Sequence, residues 1–193
     1  MIGYRCCALV ISLIASQAHA FEVQRAEAKF EAEEYRFEMT AVLDAPSAIV
    51  NSILRDYEHY KSLDERILEA RVIERNDAEH FAMLATTLRA CFGPICRNVK
   101  RIERVEEAPM SLVAKTDPTR SDMEFGETHM QLTAIDDSRT RVTYRTRLKP
   151  DFWIPALVAR RMMLNTLEDA TIDLFRNVER RAQDALPAPS KPW

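Results

Sequence analysis

From residue 34 onward, apolar and polar positions follow two alternating rhythms. Tyr35, Phe37, Met39, Ala41 and Leu43 alternate with Arg36, Glu38 and Thr40, the period-two pattern of a strand with one buried face. Asp44-Ala45-Pro46-Ser47 breaks that rhythm and predicts a short helix to about Arg55, with Asp44 or Ser47 as cap and Pro46 tolerated in the first turn. One or two further helical turns over 56–63 bring Tyr57 and Tyr60 to one face, toward the core.

Between residues 67 and 148 the pattern predicts six strands, roughly 67–75, 79–91, 95–106, 111–116, 123–135 and 140–148. Links as short as Asn76-Asp77 and Asp136-Asp137-Ser138 make them antiparallel neighbours. The clearest is the last, where Val142, Tyr144, Thr146 and Leu148 alternate with Arg141, Thr143, Arg145 and Arg147. The third carries Arg97, Lys100, Arg101, Glu103, Arg104 and Glu106, charge on both faces, and reads as an edge strand protected by charge. Residues 153–185 hold no glycine and one early proline, Pro155. Leu157, Leu164, Leu167, Thr171, Leu174, Phe175 and Val178 recur there at helical spacing, so a long amphipathic helix closes the chain. Strands followed by one long helix give an α+β class.

The two ends read differently. Arg5, an apolar run from Cys6 to Ala15, and a polar stretch ending Ala18-His19-Ala20 have the three-part form of a secretory leader, cleaved after Ala20. The apolar run is about half of the ~20 residues that span a bilayer, which disfavours a membrane anchor. Cys6 and Cys7 stand too early for a lipid-modified N-terminus. The expected product is exported, in the periplasm, and starts at Phe21. Residues 21–33 are charged and only loosely helical, a lead-in segment; 34–185 form one domain; the proline-rich tail 186–193 is disordered.

Composition narrows the function classes. The 193-residue chain has net charge −3, and loss of the leader removes only Arg5, so the mature chain is one unit more acidic. Both signs are interspersed without a basic stripe, which argues against nucleic acid as a partner. Cys91 and Cys96, in Cys-Phe-Gly-Pro-Ile-Cys, form a disulfide in an oxidising compartment; two free thiols beside a turn are the alternative. No metal is expected, because His59, His80 and His129 are not spaced to complete a site with them. No phosphate loop or nucleophile elbow is present, and no cofactor is implied.

The element order, with Val42-Leu43-Asp44-Ala45-Pro46, Ile53-Leu54-Arg55-Asp56-Tyr57-Glu58-His59-Tyr60 and the terminal helix, resembles the START-like (SRPBCC) helix-grip superfamily over about residues 34–184, most closely its polyketide-cyclase and coenzyme-Q-binding branch. The resemblance implies a curved antiparallel sheet wrapped around the long C-terminal helix, with two short helices after the first strand. The leader and the Cys91/Cys96 hairpin depart from that branch, so its intracellular quinone role is not carried over.

A curved sheet gripping one helix leaves a gap suited to an apolar guest, a lipid, a quinone or similar. Leu84, His129, Tyr144, Leu148, Leu157 and Leu164 are the candidate lining residues, and Met162 and Met163 add an adaptable pair. The leading expectation is a carrier without chemistry, with no catalytic residue assigned. A cyclase or dehydratase would use His129 to move a proton and Tyr144 to orient a substrate oxygen. An interaction module would have a collapsed cavity and a charged outer face drawn from Arg97, Lys100, Arg101, Arg104, Arg141, Arg145 and Arg147, which could also touch a membrane surface transiently during loading.

Overall fold

In the computed structural model, which describes residues 21–92, 95–152 and 158–186, the period-two segments form one antiparallel sheet of eight strands. These are β1 (Glu22–Glu31), β2 (Glu34–Leu43), β3 (Ile67–Asn76), β4 (Phe81–Phe92), β5 (Ile95–Ala108), β6 (Ser111–Thr116), β7 (Met123–Ala134) and β8 (Thr140–Pro150). Helix α1 (Ser47–Arg55) and a 3-10 helix (Tyr57–Ser62) link β2 to β3, and α2 (Val158–Asp184) closes the chain. Strand order across the sheet is β1-β2-β8-β7-β6-β5-β4-β3. Among the described residues no helix is long and apolar enough to cross a membrane.

The inward-facing alternates of β2 and β8 meet the apolar stripe of α2. Phe37, Met39 and Leu43 are buried with Val142, and with Phe175, Val178 and Ala182 of the helix. Phe175 is wholly buried and stacks edge-on against Tyr144, ring centroids 5.7 Å apart. Burying one such side chain contributes about 1.5–3 kcal/mol, so this face of α2 is what fixes the helix in the sheet. Tyr57 and Tyr60 face the core as expected, edge to face at 5.6 Å. The Tyr57 hydroxyl donates to Glu107 Oε1 at 2.7 Å and that of Tyr60 to the Leu54 carbonyl at 2.5 Å.

Three local expectations need correction. Residues 22–31 are not a loosely helical lead-in but β1, paired along its length with β2. Ala26, Ala28 and Phe30 pack toward the core clusters, and a register shift between Val23 and Arg25 hides the alternation. The two-residue turn is Ala32-Glu33, with φ of 52° and 62°, a hairpin turn usually made with asparagine and glycine. Second, β5 is no edge strand: it lies between β4 and β6, and the edges are β1 and β3. Third, neither Asp44 nor Ser47 caps α1; Pro46 holds the N-cap position without a side-chain hydrogen bond.

Cys91 and Cys96 are directly opposed across the β4–β5 hairpin and joined by a disulfide, Cα atoms 4.0 Å apart. The loop it closes is short, so reduction is expected to lower stability by only about 2 kcal/mol. Urea unfolding with and without reductant measures this, and the far-ultraviolet circular dichroism of the folded baseline should not change. A loss of the folded baseline would mean that the bond supports more than the hairpin tip.

Candidate functional site

The inner face of the sheet is apolar at its margins and polar at its centre. Along β5, Val99 and Val105 point under α2, and between them at the same parity stand Arg101 and Glu103. Their side chains are 19% and 9% exposed, and Arg101 Nη2 lies 2.5 Å from Glu103 Oε1. Thr116 Oγ1 of β6 donates to the same oxygen at 3.4 Å. A Cβ on Gly126 of β7 would stand 2.2 Å from that Thr116 oxygen, so glycine allows the threonine to sit beside Glu103. Arg101 Nε is fully buried and has no hydrogen-bond partner among the described residues.

Two cavities have Arg101 in their lining, and the second also has Glu103. One, of about 150 Å³, is walled by Leu88, Val99, Met123, Leu148, Phe152, Met163 and Leu167, with Arg66 and Arg89 also in its lining. The other, of about 130 Å³, is walled by Leu54, Leu84, Val105, Leu112, Met130, Leu174 and Phe175, with Tyr57, Tyr60, Tyr144, Thr128 and Glu103 among its polar groups. An apolar void of 150 Å³ is large enough to hold a benzene-sized group. Burial pushes the Tyr144 hydroxyl above its ordinary pKa, while the charge of Arg101 and hydrogen bonds with Thr128 and Thr146 pull it partly back. Tyr60 is raised as well, chiefly by burial. Both phenols therefore stay protonated near neutral pH and can donate.

The expected lining residues divide. Leu84 and Tyr144 border the second cavity and Leu148 the first. Leu164 packs against the cluster of Tyr35, Val99, Met123 and Leu148, and Met163 is in the wall of the first cavity. Leu157 lies outside the described residues. His129 is a correction: its side chain is 55% exposed on the outer face, Nε2 3.3 Å from Glu127 Oε1, beside Arg145 and Arg147. Its face is set by a register shift between Met123 and Phe125, which turns Met123 inward and everything from Phe125 at odd positions outward. His129 and Tyr144 thus stand on opposite faces of the sheet and do not form a catalytic pair.

Of the basic residues expected on the outer face, Arg97, Lys100, Arg141 and Arg145 are exposed, and the others are drawn into local contacts. Arg101 is inside; Arg104 lies over the Phe81 ring at 3.5 Å and Arg97 over Phe152 at 4.3 Å. Arg147 pairs with Glu127 at 2.6 Å. What sequence reasoning missed is the Arg101–Glu103 pair, whose signal was its shared parity with Val99 and Val105. Among the described residues no group of three histidine, cysteine or acidic side chains could hold a metal ion.

Comparison with known proteins gives the following. No family model matches the chain, and no curated protein does. Solved structures do. The Zhui aromatase/cyclase of a Streptomyces species superposes with TM-score 0.66 at 14% identity, over 80% of this chain and 97% of that one. A START superfamily protein from Mycobacterium smegmatis gives 0.65 at 14%, over 78% and 99%. A STAR-related lipid transfer protein from Xanthomonas axonopodis gives 0.57 at 15%, over 80% and 98%.

Proposed function

We propose that this chain, which has the START-like helix-grip fold, is an exported binder or carrier of an apolar molecule bearing one uncharged hydrogen-bond acceptor. The observation that carries the reading is an apolar cavity under the long helix bordered by Arg101, whose guanidinium is paired with Glu103 and keeps one nitrogen without a hydrogen-bond partner among the described residues. The Arg101 charge is already balanced by Glu103, so what Arg101 offers a ligand is a hydrogen bond and not an uncompensated positive charge. A neutral carbonyl or ester oxygen can take a hydrogen bond there without disturbing that balance. The cyclohexane-like walls of the first cavity accept the rest of the molecule. Export is supported by the leader pattern, and the Cys91–Cys96 bond suits an oxidising compartment. Loading at a membrane surface belongs to the same reading, with Arg89 and Arg97 beside the first cavity.

Native mass spectrometry of the mature protein, purified from an exporting host without detergent and then solvent-extracted, tests this. The expected result is a reproducible adduct of one neutral apolar molecule. A clean apo mass, unchanged after incubation with a lipid extract, overturns the carrier reading.

A cyclase-like enzyme is the second reading, favoured by one observation: the Tyr144 hydroxyl and the Arg101–Glu103 pair line the same cavity. Its chemistry would run through those three residues, with Tyr144 donating to a substrate oxygen, and not through His129.

A further inference from the structure

Glu179 sits on the buried side of α2, 6% exposed, between the fully buried Val178 and the turn that carries Ala182. Its carboxylate accepts two backbone hydrogen bonds that reach across most of the chain. Oε1 takes the Phe21 nitrogen at 2.9 Å and Oε2 the Asp44 nitrogen at 2.7 Å. Among the described residues no cationic side chain pairs with it. A buried carboxylate held only by neutral donors is an unbalanced charge, and such groups normally have a counter-ion.

The nitrogen at Oε1 belongs to the residue that follows Ala20, the bond at which the leader pattern ends. We infer that removal of the leader creates the missing counter-charge: the new α-ammonium of Phe21 forms a buried ion pair with Glu179. This rests on the export reading above. Hydrolysis of the Ala20–Phe21 peptide consumes one water. The Ala20 carbonyl carbon takes its oxygen and departs with the leader as a carboxylate, and the Phe21 nitrogen takes up protons, changing from a neutral amide donor to an ammonium. Nothing else need move, because the nitrogen already stands at hydrogen-bonding distance from Oε1.

The pair would pin the start of the sheet to the helix. Strand β1 is an edge strand with β2 as its one neighbour in the sheet, and among the described residues that ladder and the packing of Phe21, Ala26 and Ala28 on the core are what otherwise hold it. The Phe21 ring packs against the core cluster and has the Arg176 guanidinium 5.8 Å from its centroid. Processing and folding are thereby coupled: the mature chain gains a charge pair that the precursor lacks.

The test uses four purified chains: one starting at Phe21, one retaining Ala20 as first residue, and each of these with Glu179→Gln. Retaining Ala20 keeps the amide and moves the ammonium one residue away. The expected result is a melting temperature at least about 5 °C higher for the Phe21 start than for the Ala20 start, a difference that Glu179→Gln removes. Equal melting of the first two, or the same difference in both Glu179→Gln chains, overturns the ion pair. N-terminal sequencing of protein recovered from an exporting host reads the cleavage separately. Phe21 in the first cycle is expected, and any other start overturns the natural origin of the pair.

Discussion

Replacing Arg101 with methionine is expected to destabilise the protein by about 3–5 kcal/mol, because it leaves the Glu103 carboxylate buried without its partner. Thr116 is then the one side chain hydrogen-bonded to that carboxylate among the described residues, and at 3.4 Å it is a weak donor. The double change Arg101→Met with Glu103→Leu should recover most of the loss, since a buried ion pair exchanged for apolar side chains is often neutral for stability. Urea unfolding of wild type, both single variants and the double variant closes the cycle. If the double variant is as unstable as Arg101→Met, the pair is structural in a way that charge balance does not explain. If it is stable but no longer retains a cargo in native mass spectra, stability and binding separate, and the ion pair is kept for the ligand.

Phe175→Ala should cost about 3–5 kcal/mol as well, by a different route. Phe175 is completely buried, touches the Tyr144 ring and forms part of the wall of the second cavity. Removing the ring deletes its transfer free energy and enlarges a void that already exists, so the site has little ability to close up. Thermal unfolding measures the loss. Because the enlarged void opens toward Arg101, added ligand should restore more of the melting temperature in this variant than in wild type, by mass action on the folded state. An unchanged melting temperature would mean that α2 shifts to refill the space.

Most of the fold was legible because its strands are two-faced and its long helix is amphipathic. The alternation in β2 and β8 survives in the structure residue by residue, as does the inward stripe of α2 from Leu164 to Val178. Two of the failures share a physical cause, the local break in periodicity that a register shift introduces. One such shift concealed β1, and its Ala32-Glu33 turn carries none of the residues that usually announce a hairpin. Another turned His129 outward. Arg101 and Glu103 were misread for a different reason: charged side chains on a strand are ordinarily solvated, and only mutual pairing makes their burial tolerable. Ile102, buried on the opposite face from them, further obscured which side of β5 was wet.

The order of strands has a consequence for how the chain reaches this state. From β3 to β8 every neighbour in the sheet is also the next strand in sequence, so that meander can zip up by successive short-range closures. The β1–β2 hairpin is equally local, yet it joins the rest of the sheet along β8, in a ladder that runs from Tyr35 opposite Leu148 to Leu43 opposite Thr140. That junction, and the docking of α2, must wait for the final third of the polypeptide. A chain emerging N-terminus first therefore leaves the inner apolar face of its first hairpin uncovered until β8 and α2 have been made. The slow step of refolding should be the meeting of β2 with β8, well after the hairpins themselves have formed.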